Sequence, residues 1–346
     1  MSHHLDTPLA AQTGQLLIDD FYLFGTESGT VFAVSLNSTV TGPDVQPGFH
    51  HEARYEFKVH FDGAELEELT YRVSFGEADA EGRQPLRLHV LTGDEARDDA
   101  AVGRLLLEGR TGEPVTGDEV RIWAGRASDP FYAHIPIVSL VNTAIKDGTA
   151  VDLSEWDPKT AVNPFAGTTV EAIVLEVSHD YPRMWPGAEI SSWCATKLAT
   201  DAGGWRQINR GGFPMIWPIF RPDDTRFTDP ANTRHPSEDL AAEGGRIAGQ
   251  VAAVVAASGV TDDPEAYGQM VAHELLPDTL PYVIGTPASF SFAGFNGRPL
   301  ADNVVEVMLS LVAGRAVQTG LTAAVAKHLR SPEFPYMVAA PAAATE

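Results

Sequence analysis

The sequence predicts an α+β fold, with a mainly antiparallel β core, sandwich-like or jelly-roll-like, and C-terminal helices at one side. Three observations predict it. Residues 55–75 alternate apolar and polar on both sides of a turn. After about residue 236 the apolar spacing becomes helical. No repeat of roughly 20–50 residues is present, which sets propellers and solenoids aside.

The strands come first. Tyr55, Phe57, Val59 and Phe61 alternate with Glu56, Lys58 and His60; after a turn at Gly63, Leu69, Tyr71, Val73 and Phe75 alternate with polar residues. This is a hairpin with one buried face, and His60 and His89 fall on the polar faces expected to meet solvent. Further strands are expected at 16–24, 30–36, 86–91, 102–108, 119–123, 170–177, 190–196 and 205–209. The β-branched density of VEAIVLEV (170–177) suits a central strand, and Cys194 is expected in the core.

The helices follow. Ser237 is placed to cap a helix reaching Ser258, with Gly259 as its stop. Asp263 and Pro264 take the N-cap and first positions of a second. Asp302 caps a third over 303–313, and 319–329 suggests a fourth. We expect one domain over 1–346, β-rich over 1–236, with an integrated helical part over 237–330 and an extended or loose tail over 331–346. Long loops at 38–52, 142–168 and 210–236 are places to build a site.

Composition narrows the function classes. The formal net charge is −23, which opposes binding to nucleic acid or anionic membranes and favours a small-molecule substrate or a protein partner. The single cysteine allows neither an internal disulfide nor a cysteine-rich zinc site. No apolar run reaches the roughly 18 residues of a membrane span, and the opening lacks an export pattern. The expected location is therefore cytoplasmic; a homo-oligomer is compatible with the sequence. There is no P-loop, no GxGxxG after a strand and no GxSxG, so no nucleotide cofactor is expected and a serine hydrolase is disfavoured. At His273-Glu274, Pro277 occupies the place of the second zincin histidine.

Candidate chemistry concentrates near the amino terminus, where His3, His4, Asp6, Asp19 and Asp20 lie close together. His4 and Asp6 are two apart and share a side of an extended chain, and Asp20 joins them if its strand lies alongside. Imidazole plus carboxylate suits a divalent ion. A second set, Arg126, Asp129 and His134, offers a ligand, a base and an anion-binding cation. Arg210, in the aromatic stretch 205–220, is a further candidate to hold an anionic group.

Several segments resemble one known family. SHHLDTP (2–8) resembles the SSHREAP opening of domain-of-unknown-function family 4331, placing His4, Asp6 and Pro8 in register. DDFYLF (19–24) is similar to its TDLYAF, GRASDPFYAH (125–134) to its DPFF segment, and NPFAGTTVEAIVLEV (163–177) to its NTFAG segment. LPDTLPY (276–282) and NGRPLADNVVEVMLSLVAGR (296–315) resemble its C-terminal signature. The chain departs from the pattern at Leu5, at Ala133 or His134, and at Asn209-Arg210. The family carries no assigned reaction.

The reading is a metal-dependent enzyme for a small, anionic organic substrate, with secondary metabolism as a guessed setting. Its divalent ion would sit on His4, Asp6, Asp20 and Asp129, with His134, Arg126 and Arg210 in catalytic roles. The alternative is a non-catalytic β-rich protein that binds a ligand or a protein. Carbohydrate binding is a third reading, from architecture and tryptophan content alone.

Overall fold

The computed structural model describes residues 13–39, 46–221 and 230–340. Among them, fourteen strands form three sheets, and the helices lie mostly in the C-terminal half. The α+β, sandwich-like expectation holds.

The first large sheet has the order β1-β2-β9-β8-β7, from Ile18–Gly25, Gly29–Leu36, Thr169–Ser178, Val120–Ser128 and Val115–Thr116. β9 is central, as its sequence suggested. Its run is continuous because both faces are covered. Ile173, Leu175 and Val177 face the main core, whereas Val170, Ala172 and Val174 pack under Leu300, Tyr336 and Met337.

The second sheet has the order β11-β10-β3-β4-β5-β6: Trp205–Gly211, Glu189–Ala199, Ala53–Phe61, Leu69–Phe75, Pro85–Thr92 and Arg104–Arg110. Leu280–Val283 (β12) adds to β10, and Ser289–Ser291 (β13) pairs with Gly294–Asn296 (β14). The inward rows of β3 and β4 meet the first sheet in an aromatic layer. Phe57 lies 6.1 Å from Phe32 and 6.2 Å from Phe21, centroid to centroid. Such pairs contribute about 0.5–1.5 kcal/mol beyond area burial.

One long helix and two short ones escape the sequence reading. Ile135–Asp147 (α1) is rich in β-branched residues, which hide its period. Yet Pro136 sits in its first turn, Gly148 closes it at φ 62°, and Ile137, Val141, Ala144 and Ile145 form its buried stripe. Short helices at Ile216–Phe220 (α2) and Pro230–Thr233 (α3) follow. The expected C-terminal helices appear as Asp239–Ser258 (α4), Pro264–Leu275 (α5) and Val304–Ala313 (α6). Gly259 and Gly314 are left-handed caps, and the Asp263 carboxylate accepts from the Ala266 N–H at 3.0 Å. α4 and α5 touch at Gly268, where a Cβ would lie 2.2 Å from the Ala248 carbonyl oxygen. The core runs without a break from the sheets into these helices.

Two local expectations are corrected. The fourth helix is a 3-10 segment, Ala323–Leu329. The described part of the tail is not loose: Met337 bridges Arg330, Ala339 bridges Ala127, and Tyr336 is buried. Its aromatic residues supply the apolar cover for the outer face of the first sheet.

Candidate functional site

His4 and Asp6 lie outside the described residues. The other candidates are placed, and they do not share one centre. Asp20 is buried on β1 and accepts from Arg298 Nη1 at 2.7 Å. Arg298 also bonds Asp302 at 2.9 Å and lies 4.5 Å over the Tyr22 ring. Asp129 serves a turn, accepting from the Phe131 N–H at 3.0 Å and from Thr168 Oγ1 at 3.2 Å. Burial, then Asp20, raises the Tyr22 phenol well above its ordinary value; Asp129 and Asp302 add to the rise. Among the described residues, none of Asp20, Asp129 and His134 joins a group of metal-sized spacing.

His134 precedes α1. Its Nδ1 accepts the Val162 N–H at 3.1 Å, and its ring stacks on Trp156 at 4.8 Å. Arg126 pairs with Glu171 at 3.1 Å and donates to Thr169 Oγ1 at 2.9 Å. Arg210 is fully buried between Asp239, at 2.6 Å, and Asp278, at 3.3 Å. These bonds make it a structural cation with no face toward an open cleft, which corrects its substrate-orienting role. Cys194 is buried as expected, and burial pushes its thiol up.

The group that does converge lies on the outer face of the second sheet. Glu56, Lys58 and His60 of β3, Thr70 and Arg72 of β4, and Lys197 of β10 point there and are all buried. The expectation of a solvated face for His60 is thus wrong, and the reason is tertiary. The segment after β5 folds over the strip: Ala96 O accepts from Thr70 Oγ1 at 2.8 Å, and Ala101 O from Arg72 Nη1 at 2.6 Å. Residues 232–237 close the other side, bringing His235 edge-on to Trp193 at 5.4 Å.

Within the strip the charges pair. Glu56 accepts from Arg72 Nε at 2.6 Å and lies 3.3 Å from Lys58 Nζ and 3.2 Å from Lys197 Nζ. Burial would raise its carboxyl, but these three cations outweigh it and hold it well below the usual carboxylate range. Lys58 Nζ also reaches Glu67 Oε1 at 2.7 Å. Burial works against the Lys58 ammonium, but Glu56 and Glu67 overcome it and raise its pKa.

His60, Glu67 and His235 offer three ligand atoms within 4.8 Å of one another. His60 Nδ1 donates to Ala64 O at 3.0 Å, so its Nε2 carries a lone pair, and this accepts from the Trp193 indole N–H at 3.0 Å. Burial lowers the His60 pKa, keeping the ring neutral. His235 Nε2 donates to Glu67 Oε2 at 2.7 Å, while its Nδ1 faces the Ser237 N–H at 3.1 Å and Ser237 Oγ at 2.9 Å. Burial pushes Glu67 up, but the His235 bond and the Lys58 charge bring it to about 2. Because the Ser237 N–H takes the Nδ1 lone pair, Ser237 completes a turn; it is not poised as a nucleophile.

Two imidazoles and one carboxylate form a donor set that suits zinc, iron(II) or manganese. The outward bond from His60 Nδ1 to a backbone carbonyl is the support such ligands use. For Nε2 to offer a lone pair, His235 would carry its proton on Nδ1, exchanging the bond from the Ser237 N–H for one donated to Ser237 Oγ. No family model, no curated protein and no solved structure matches the chain. No helix among the described residues is long and apolar enough to cross a membrane.

Proposed function

We propose that the chain is a metal-dependent enzyme acting on a small anionic substrate, with a divalent ion held by His60, Glu67 and His235. The observation that carries this reading is the convergence, within 4.8 Å, of two imidazoles and a carboxylate from the β3–β4 hairpin and the distant segment around His235. Ligands of one four-coordinate ion sit roughly 3.5 Å apart, so loading would open the His235–Glu67 pair, now 2.7 Å apart, and exchange its hydrogen bond for the ion. A bound ion of this type supplies Lewis-acid polarisation of a substrate oxygen.

The protein residues have defined parts. Lys58 holds Glu67 by Oε1, which leaves Oε2 for the cluster. The Trp193 indole N–H yields His60 Nε2 on loading. His235 is 24% exposed at its side chain, against 3% for Glu67, so access runs past His235. The motif resemblance names no chemistry, and the reading rests on the cluster.

Metal analysis of untagged protein after reconstitution with zinc, manganese or iron(II) tests the proposal. We expect about one equivalent, lost in folded His60→Ala and His235→Ala and kept in His50→Ala. Binding should also change Trp193 emission. Metal content unaffected by the two variants, or no stoichiometric metal at all, would end the proposal.

A further inference from the structure

A cavity of about 530 Å³ opens at one end of the second sheet, with Phe61, Leu69 and Val90 among its lining and Arg104, Tyr181 and Arg183 as polar members. Its size lies within the roughly 300–1,000 Å³ of small-molecule pockets, which combine an apolar wall with a few polar groups. The metal cluster uses the neighbours of these residues, His60 and Glu67, on the opposite face of the sheet; the two sites are separate.

The cations decide the ligand. Arg183 is already engaged, with Glu68 at 2.9 Å and Asp62 at 3.3 Å, and its guanidinium lies 4.0 Å over the Phe61 ring. Its backbone is left-handed at φ 67°, a conformation a non-glycine residue adopts only at a cost. That turn sets the guanidinium as a lid on the apolar wall. Arg104 has no carboxylate within 4.0 Å among the described residues. Arg104 is solvent-exposed at the cavity, so its guanidinium is free to turn toward a ligand there. Burial raises the Tyr181 phenol against the pull of Arg104, so Tyr181 remains a neutral donor. Glu68, paired with Arg183, and Glu95 also line the cavity, and Glu95 opposes a second negative charge.

We propose that this cavity binds an apolar monocarboxylate, with its body on Phe61, Leu69 and Val90 and its carboxylate on Arg104 and the Tyr181 hydroxyl. A phosphate or dicarboxylate is disfavoured by Glu95, and an alcohol of the same length lacks the charge that Arg104 needs.

Calorimetric titration of the full chain with decanoate tests this, with decanol and inorganic phosphate as comparisons. We expect one-to-one binding of decanoate, with phosphate silent and decanol weaker by tenfold or more. Charge-assisted hydrogen bonds of this kind are worth roughly 1.5–3 kcal/mol, so Arg104→Gln should weaken decanoate binding at least tenfold. Thr92→Trp, at the exposed rim, should block it without touching the core. His235→Ala should leave it unchanged, which separates this site from the metal reading. Absent decanoate binding, equal binding of decanol, or full affinity in folded Arg104→Gln would overturn the proposal.

Discussion

Replacing Arg210 by methionine distinguishes a structural cation from a substrate-binding one. The substitution keeps the side chain's bulk and removes its charge. Two fully buried carboxylates, Asp239 and Asp278, then lose bonds of 2.6 Å and 3.3 Å, and the Ala231 carbonyl loses its donor. Breaking a buried pair from one side costs about 3–5 kcal/mol. Some compensation survives: Arg234 remains 3.2 Å from Asp239, and the Phe213 N–H and Trp217 Nε1 still donate to Asp278, at 2.6 Å and 3.1 Å. We therefore expect about 3–4 kcal/mol. With an unfolding entropy near 2.1 cal/mol/K per residue, that lowers Tm by about 4–6 °C for a chain of this length. Urea unfolding at pH 7, followed by circular dichroism, provides the assay. A variant within 0.5 kcal/mol of the parent (about the scatter of neutral surface changes) refutes the structural account of Arg210.

Glu67 is held at about 2, below the ordinary value near 4.3, so its pairing stabilises the fold above that value and the contribution is lost as pH falls from about 4.5 toward 2. The shift corresponds to about 3 kcal/mol, and Glu67→Gln should remove this acid-sensitive component from stability measured against pH. A parent whose stability stays flat across that window would contradict it. The Tyr22 hydroxyl is buried and makes no hydrogen bond among the described residues, so Tyr22→Phe should be neutral or stabilising by about 1 kcal/mol. A loss above 1 kcal/mol in thermal unfolding would show that the hydroxyl has a partner.

Much of the fold was legible because its signals are local. The alternation over 55–75 fixes a two-faced hairpin, and Gly259, Asp263 and Gly314 mark helix ends by their own conformational preferences. α1 was hidden because Ile135, Ile137, Val138 and Val141 are strand formers held helical by tertiary packing. The candidate site was harder to see for a different reason. His235 and Glu67 meet across 168 residues, and neither lies in a motif. The mixed charges Glu56, Lys58 and Arg72 read as a wet face, since the sequence carries no mark of what covers it. One signal was available. Glu56 sits opposite Arg72, and Lys58 opposite Thr70, a cross-strand pattern with unlike neighbours in register.

Charge balance in that strip ties the site to its substrate. Glu56, Glu67 and Asp99 face Lys58, Arg72, Lys197 and Arg54, four cations to three carboxylates, so the strip is already positive as it stands. A divalent ion on Glu67, as proposed, would add two more positive charges inside a buried layer, close to the Lys58 ammonium. Interactions of this kind are worth several kcal/mol at an effective dielectric near 20. The loaded site therefore favours an anion, which is the physical case for an anionic substrate. The same repulsion limits metal affinity, and removing Lys58 relieves it. Lys58→Met should bind the ion at least tenfold more tightly than the parent. Its metal-free form should be less stable, since Glu67 keeps only His235 and Glu56 keeps Arg72 and Lys197. Competition titration with a chromophoric chelator reads the first effect and urea unfolding the second. Weaker metal binding in a folded Lys58→Met would mean that Lys58 organises Glu67 more than it repels the ion, and the argument from charge to substrate would fail.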